Sequence, residues 1–261
     1  MIKPIRTGLS ACVLGAVLSS LCLLCRAEPG PDLYCGMDAA SYLTGRFEPE
    51  REGCFVEISA LGIPVMGGRQ YLRREAAEAL ARMFRDFRKA HPGAEFVVRS
   101  STRTWGHQKA IWEDKWFGRT PVGGVRLNKT VADPAKRAAI ILEYSSMPGT
   151  SRHHWGTDFD LQELNNSYYE TGRGAVLYRW LVANAGSYGF CRPYTAGRKA
   201  GYREEKWHWS YLPLAKRLLS DWVRLFKDDP GKITASDGFA GSESCVHLAP
   251  IFVESINDFC R

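Results

Sequence analysis

Apolar and polar positions in this 261-residue chain alternate between a helical period and a strand-like one. Between residues 69 and 90, Leu72, Ala76, Leu80, Met83 and Phe87 recur every three or four positions. That spacing predicts an amphipathic helix, stopped by His91-Pro92-Gly93. Residues 95–99 hold Phe96-Val97-Val98 and predict a short buried strand. A polar stretch at 100–104 leads to a helix over 107–116, and 120–128 is a Pro/Gly loop. Asp133-Pro134 opens a helix to about residue 144, which Met147-Pro148-Gly149 breaks. Residues 157–161 read as a strand, and 175–185 as a helix closed by Gly186 and Gly189. Residues 206–211 read as a second alternating strand, and 213–226 as a strong final helix. Short strands separated by helices predict an α+β fold, a small antiparallel sheet flanked by helices. Residues 28–226 form the expected domain, and 227–261, with two cysteines, an appendage packed on it.

Composition narrows the class. A hydrophobic share of 45% with 24% charged residues excludes disordered, collagen-like and multi-span membrane chains. Residues 1–27 read as a secretory signal: Lys3 and Arg6 precede an uncharged run from Leu9 to Cys25, and Cys25-Arg26-Ala27 offers a cleavage site. The other reading of that run is a retained membrane anchor, since its length approaches a span. Removing Lys3, Arg6 and Arg26 lowers the formal charge from +7 to +4 (32 basic against 28 acidic residues). That balance suits an anionic surrounding such as a cell wall and does not call for nucleic acid. An exported chain keeps Cys35, Cys54, Cys191, Cys245 and Cys260, enough for two disulfides. Proximity in sequence pairs Cys35 with Cys54 and Cys245 with Cys260.

The candidate chemistry gathers around two histidines. His91 stands at a helix end and His247 lies in the tail without acidic neighbours. His153 opens a stretch running through Gly156 to Asp158 and Asp160, while His208 follows Glu205 by three residues. A catalytic zinc needs three N/O ligands and one open position. His153, Asp160 and His208 supply that set, with the turn at Gly156 folding His153 back, and Glu205 is a candidate base. In a regular strand residues 205 and 208 point to opposite faces. Glu205 is therefore expected in the loop before the strand, or at a bulge. Trp207 and Trp209 then share one face, and His208 and Ser210 the other.

The pattern Ser151-x-His153-x-x-Gly156-x-x-x-Asp160, followed by Glu205-x-Trp207-His208, resembles the VanY-like zinc D-alanyl-D-alanine carboxypeptidases. Ser101-Thr102-Arg103 with Gln108, Met147-Pro148-Gly149-Thr150-Ser151 and Tyr178-Arg179-Trp180-Leu181 resemble further elements of that family. So do Tyr188-Gly189-Phe190 and Pro193-Tyr194. The resemblance implies one Zn2+ held by His153, Asp160 and His208 on the sheet, with Glu205 as catalytic base. It implies that Arg103 polarises the scissile carbonyl or anchors the substrate, and that Gln108 and Ser151 lie near the substrate's terminal carboxylate. The residue two before the metal aspartate is usually small in the family, whereas here it is Asp158. Asp158 is then a second candidate for the metal, or a residue that orients a ligand.

The function so implied is hydrolysis of the terminal D-Ala-D-Ala bond of peptidoglycan stem peptides by an exported enzyme of the periplasm or cell envelope. Three alternatives use other specificities or none: a D-Ala-D-Ala dipeptidase, a peptidoglycan endopeptidase, and a non-catalytic zinc-stabilised cell-wall binding module. A cysteine hydrolase built on Cys191 has no oriented Cys/His/Asn pattern behind it.

Overall fold

The computed structural model describes Met1 and residues 32–234 and 238–261. The expected signal segment, with Cys12, Cys22 and Cys25, lies outside the described residues apart from Met1. Residues 32–261 form one compact unit, and among the described residues no helix is long and apolar enough to cross a membrane.

The chain enters through α1 (Ala39–Thr44), capped by the Asp38 side chain. β1 (Phe55–Glu57) pairs antiparallel with β2 (Tyr71–Arg73), which feeds directly into α2 (Arg74–Ala90). The helix thus starts at Arg74, five residues later than the periodicity suggests. Tertiary contacts override propensity here: the Arg73 backbone is extended and its N–H bonds the Gly156 carbonyl. Its guanidinium is buried against the Leu33 carbonyl and the Tyr42 hydroxyl.

β3 (Val98–Ser100) is followed by α3 (Trp105–Trp116), whose N-cap Thr104 accepts from the His107 N–H. α4 (Leu127–Thr130) and α5 (Pro134–Leu142) follow, the latter capped by Asp133 as its sequence predicts. Then come β4 (Asp158–Leu161), α6 (Gly172–Asn184), β5 (Phe190–Cys191), β6 (His208–Tyr211) and α7 (Leu212–Asp228). α8 (Gly231–Thr234) and α9 (Ala249–Glu254) complete the chain.

The four-stranded sheet is antiparallel throughout, in the order β3-β4-β6-β5, so the fold is α+β. Alternation along its central strands separates two environments. Phe159, Leu161 and Trp209 face one core with Leu80, Met83 and Phe87 of α2 and Leu177 and Leu181 of α6. Asp158, Asp160, His208 and Ser210 project to the other side. A second core joins α1, α3, α5 and α7 through Leu43, Trp112, Ile141, Trp155, Leu218 and Trp222.

The tail overturns one expectation. Cys35 does pair with Cys54, but Cys260 pairs with Cys191, and Cys245 is a buried free thiol whose Sγ lies 3.3 Å from the Gly241 carbonyl. The reason is the path of the backbone after α9. The Asn257 N–H bonds the Pro193 carbonyl and Arg198 bonds the Ser255 carbonyl, which draws Cys260 alongside β5. Cys245 meanwhile is committed to the core with Ala249 and Val253.

Candidate metal centre

Strand register builds the site. Asp160 and His208 are direct cross-strand partners of β4 and β6, and Asp158 stands opposite Ser210. His153 comes from a 3-10 turn, Arg152–Trp155, ended by Gly156 at φ 69°. A side chain there is barred twice: the backbone is left-handed, and a Cβ would lie 2.4 Å from the Phe55 ring. This turn returns His153 over the sheet. One ligand atom each from His153, Asp160 and His208 then falls within 4.8 Å of the others.

Both imidazoles have a defined outward partner. His153 Nδ1 lies 2.7 Å from the Ser101 carbonyl, which can only accept, so Nδ1 carries the proton and Nε2 turns to Asp160 Oδ2 at 3.2 Å. His208 Nε2 lies 2.8 Å from Asp158 Oδ2, leaving Nδ1 to face Asp160 Oδ1 at 3.0 Å. Asp160 Oδ1 is buried without a hydrogen bond of good geometry. Two ring nitrogens and an under-satisfied buried carboxylate oxygen meet at one point, a donor set that fits zinc once His208 gives up its Nδ1 proton.

Asp158 lies behind this point, on the outer edge of the His208 ring. Its Oδ2 accepts from Arg152 Nε (3.0 Å) and His208, and its Oδ1 from Thr157 Oγ1 (2.6 Å) and Ser210 Oγ (2.7 Å). Arg152 also donates to Ser210 Oγ at 2.6 Å and stacks on Trp155. Burial opposes charge on Asp158, yet Arg152 and then His208 hold its carboxyl well below the usual range. Burial lowers His208, but the carboxylates of Asp158, which accepts from Nε2, and Asp160 beside Nδ1 prevail and push it up to about 9.

Glu205 sits in the loop before β6, anchored by its N–H on the Tyr194 carbonyl, with Oε2 3.5 Å from His208 Nδ1. The loop placement removes the conflict of opposite strand faces. Burial pushes its carboxyl up to about 7, with Asp160 adding to the shift and His208 and Arg103 opposing it. Arg103 spans the centre: Nη2 bonds Asp160 Oδ2 at 2.5 Å, Nε bonds Ser100 Oγ at 2.8 Å, and Nη1 reaches Gln108 Oε1 at 3.3 Å. Gln108 is buried behind it, its amide donating to the Ser146 carbonyl at 2.8 Å. Ser151 lines the cavity with a buried hydroxyl that has no partner among the described residues.

A cavity of about 760 Å³ opens over these groups, walled also by Lys115, Ser145, Tyr194, Leu164 and Trp207. Sequence reasoning did not single out Lys115, Arg152, His154 or the role of Tyr194. His154 locks the frame, its Nδ1 on the Arg103 carbonyl at 2.7 Å and its Nε2 accepting from the Gly149 N–H at 3.0 Å. Adjacent histidines at 153 and 154 were a visible signal, but which one faces the sheet depends on the turn. The Tyr194 ring lies 4.7 Å from that of His208.

The family model for D-alanyl-D-alanine carboxypeptidase (VanY) matches residues 69–214, more than half of the chain. A putative carboxypeptidase of Bacillus subtilis, YodJ, is 29% identical over 152 residues, covering 55% of this chain and 47% of the relative. A D-alanyl-D-alanine carboxypeptidase of Enterococcus faecalis is 29% identical over 118 residues, covering 44% of this chain and 40% of the relative. The chain thus spans about half the length of these curated relatives or less. The solved structure of the LdcB LD-carboxypeptidase is 23% identical, with a TM-score of 0.48, 71% of this chain and 76% of that one being covered.

Proposed function

The chain belongs to the VanY D-alanyl-D-alanine carboxypeptidase family, and we propose that it hydrolyses the terminal D-Ala-D-Ala bond of peptidoglycan stem peptides with one zinc ion held by His153, Asp160 and His208. The observation that carries this reading is the convergence of those three side chains with the buried carboxyl of Glu205 at one wall of a peptide-sized cavity. Bound there, zinc would supply Lewis-acid polarisation of the scissile carbonyl and of the attacking water.

The protein groups supply proton transfer, orientation and charge. Glu205, raised to about 7 by burial, suits a base that takes a proton near neutral pH and later returns it to the leaving amine. Ser101 and Asp158 fix the tautomer and angle of the two imidazoles. Arg103 steadies Asp160 and places positive charge beside the cavity, where negative charge grows on the carbonyl oxygen. A donor in that role is worth roughly 3–4 kcal/mol. Gln108 acts through Arg103, and Ser151 offers its free hydroxyl to the substrate. A base beside the metal has no use in a binding module, so Glu205 favours the enzyme. Two disulfides accord with an exported enzyme of the cell envelope.

Mass analysis of products from a peptide panel tests the proposal. The zinc-loaded protein should release one D-alanine from a pentapeptide ending in D-Ala-D-Ala, and a chelator should stop it. Release of a dipeptide, preference for free D-Ala-D-Ala, or cleavage only of a tetrapeptide's L,D bond would contradict the stated specificity.

A further inference from the structure

Helix α3 carries Gln108, Ile111 and Lys115 at spacings of three and four residues, which places them on one face. Gln108 lies behind Arg103, while Ile111 and Lys115 line the cavity itself. Three lysine and arginine side chains line that cavity. Arg103 is paired with Asp160, and Arg203 with Glu143 at the rim. Lys115 differs: its Nζ donates to the Ser145 hydroxyl at 2.6 Å, and among the described residues it forms no ion pair with a carboxylate. Ser151, which lines the same cavity, presents a buried hydroxyl without a partner among the described residues. An ammonium with no ion pair among the described residues and an unused hydroxyl lining the same cavity make a receptor for a small anion.

Resting on the peptidase reading above, we propose that Lys115 is a specificity residue whose ammonium, with the Ser145 and Ser151 hydroxyls, receives the terminal carboxylate of the substrate's leaving residue. The asymmetry of the cavity supports that end. Lys115 is carried by α3 and Arg103 precedes that helix by two residues, whereas Leu164, Asn165 and Trp207 add uncharged lining from other segments that suits the peptide that remains. Burial and the repulsion of Arg103 hold Lys115 down to about 8, with Asp114 and Glu205 opposing. A bound carboxylate offsets that penalty. Arg103 is less suited to the task, because its charge is already paired with Asp160 and three of its five N–H groups are engaged with Ser100, Gln108 and Asp160.

The test compares kcat/KM for two pentapeptides, one ending in D-Ala-D-Ala as the free acid and one amidated at that terminus alone. Wild type should prefer the acid, and Lys115→Met should lose about ten- to a hundred-fold of that preference, mainly through KM. Lys115→Arg, which keeps the charge, should retain most of it and controls for a variant that fails to fold. An unchanged acid-over-amide ratio in folded Lys115→Met overturns the inference alone. It would also show that any carboxylate Lys115 meets lies elsewhere on the peptide. A wild type that cleaves neither peptide overturns the underlying reading and the inference with it.

Discussion

His208 donates its Nε2 proton to Asp158 Oδ2 across 2.8 Å, on the side of the ring away from Asp160. This contact distinguishes the two aspartates on one strand face by their hydrogen-bond partners. Asp158 is saturated by Arg152, Thr157, Ser210 and His208. Asp160 keeps an under-satisfied oxygen for the centre.

Asp158→Asn keeps the volume but removes the charge that holds the His208 ring. Zinc affinity should fall about 10–100-fold, the usual effect of losing a ligand's outer partner. Asp160→Ala and His208→Ala should lose zinc outright. Competition titrations with a zinc chelator, run beside thermal melts, check this. Equal and mild losses from Asp158→Asn and Asp160→Ala would mean the two carboxylates share the metal.

The pH dependence of substrate preference follows from Lys115. Its free-enzyme value near 8 leaves the ammonium charged below that pH and neutral above it. The ratio of kcat/KM for acid over amide should therefore decline as pH rises through about 8. Taking the ratio cancels the titration of Glu205 and of the metal centre, which act on both substrates. In Lys115→Arg the ratio should stay flat across the same range.

The revised cysteine pairing is open to direct mapping. Peptide mapping of a chain starting at residue 28 should recover Cys35 linked to Cys54 and Cys191 linked to Cys260, with one free thiol at Cys245. The second bridge spans 69 residues, for which loop entropy alone gives about 4 kcal/mol. Cys260→Ser should cost about 2–5 kcal/mol in denaturant melts, while Cys245→Ala should leave both bridges formed.

Local signals explain what the sequence disclosed. The helix over α5 was legible because Asp133 caps it and Pro134 starts it, both within a few residues. Strand β6 was legible because Trp209 and His208 alternate between core and cleft. Strand β2 was hidden, since Leu72 continues a helical spacing and only pairing with β1 and the Gly156 carbonyl keeps that stretch extended. At the site, the ligand candidates stood in recognisable motifs, but Arg152 and Lys115 did not. An arginine beside two histidines looks exposed until Asp158 and Trp155 are seen to bury it. Cys260 found Cys191 through hydrogen bonds from the tail to the segment after β5, which no spacing rule encodes.

Turnover of zinc-loaded Glu205→Gln tests the proposed hydrolytic centre most directly. Glutamine keeps the size and hydrogen-bonding reach of Glu205 but cannot take a proton. Metal content and D-alanine release should be measured on one preparation of each protein. The account predicts full zinc occupancy with turnover lowered roughly 10²–10⁴-fold, the contribution of a positioned acid–base group. A fully loaded Glu205→Gln protein that releases D-alanine at close to the wild-type rate would contradict it.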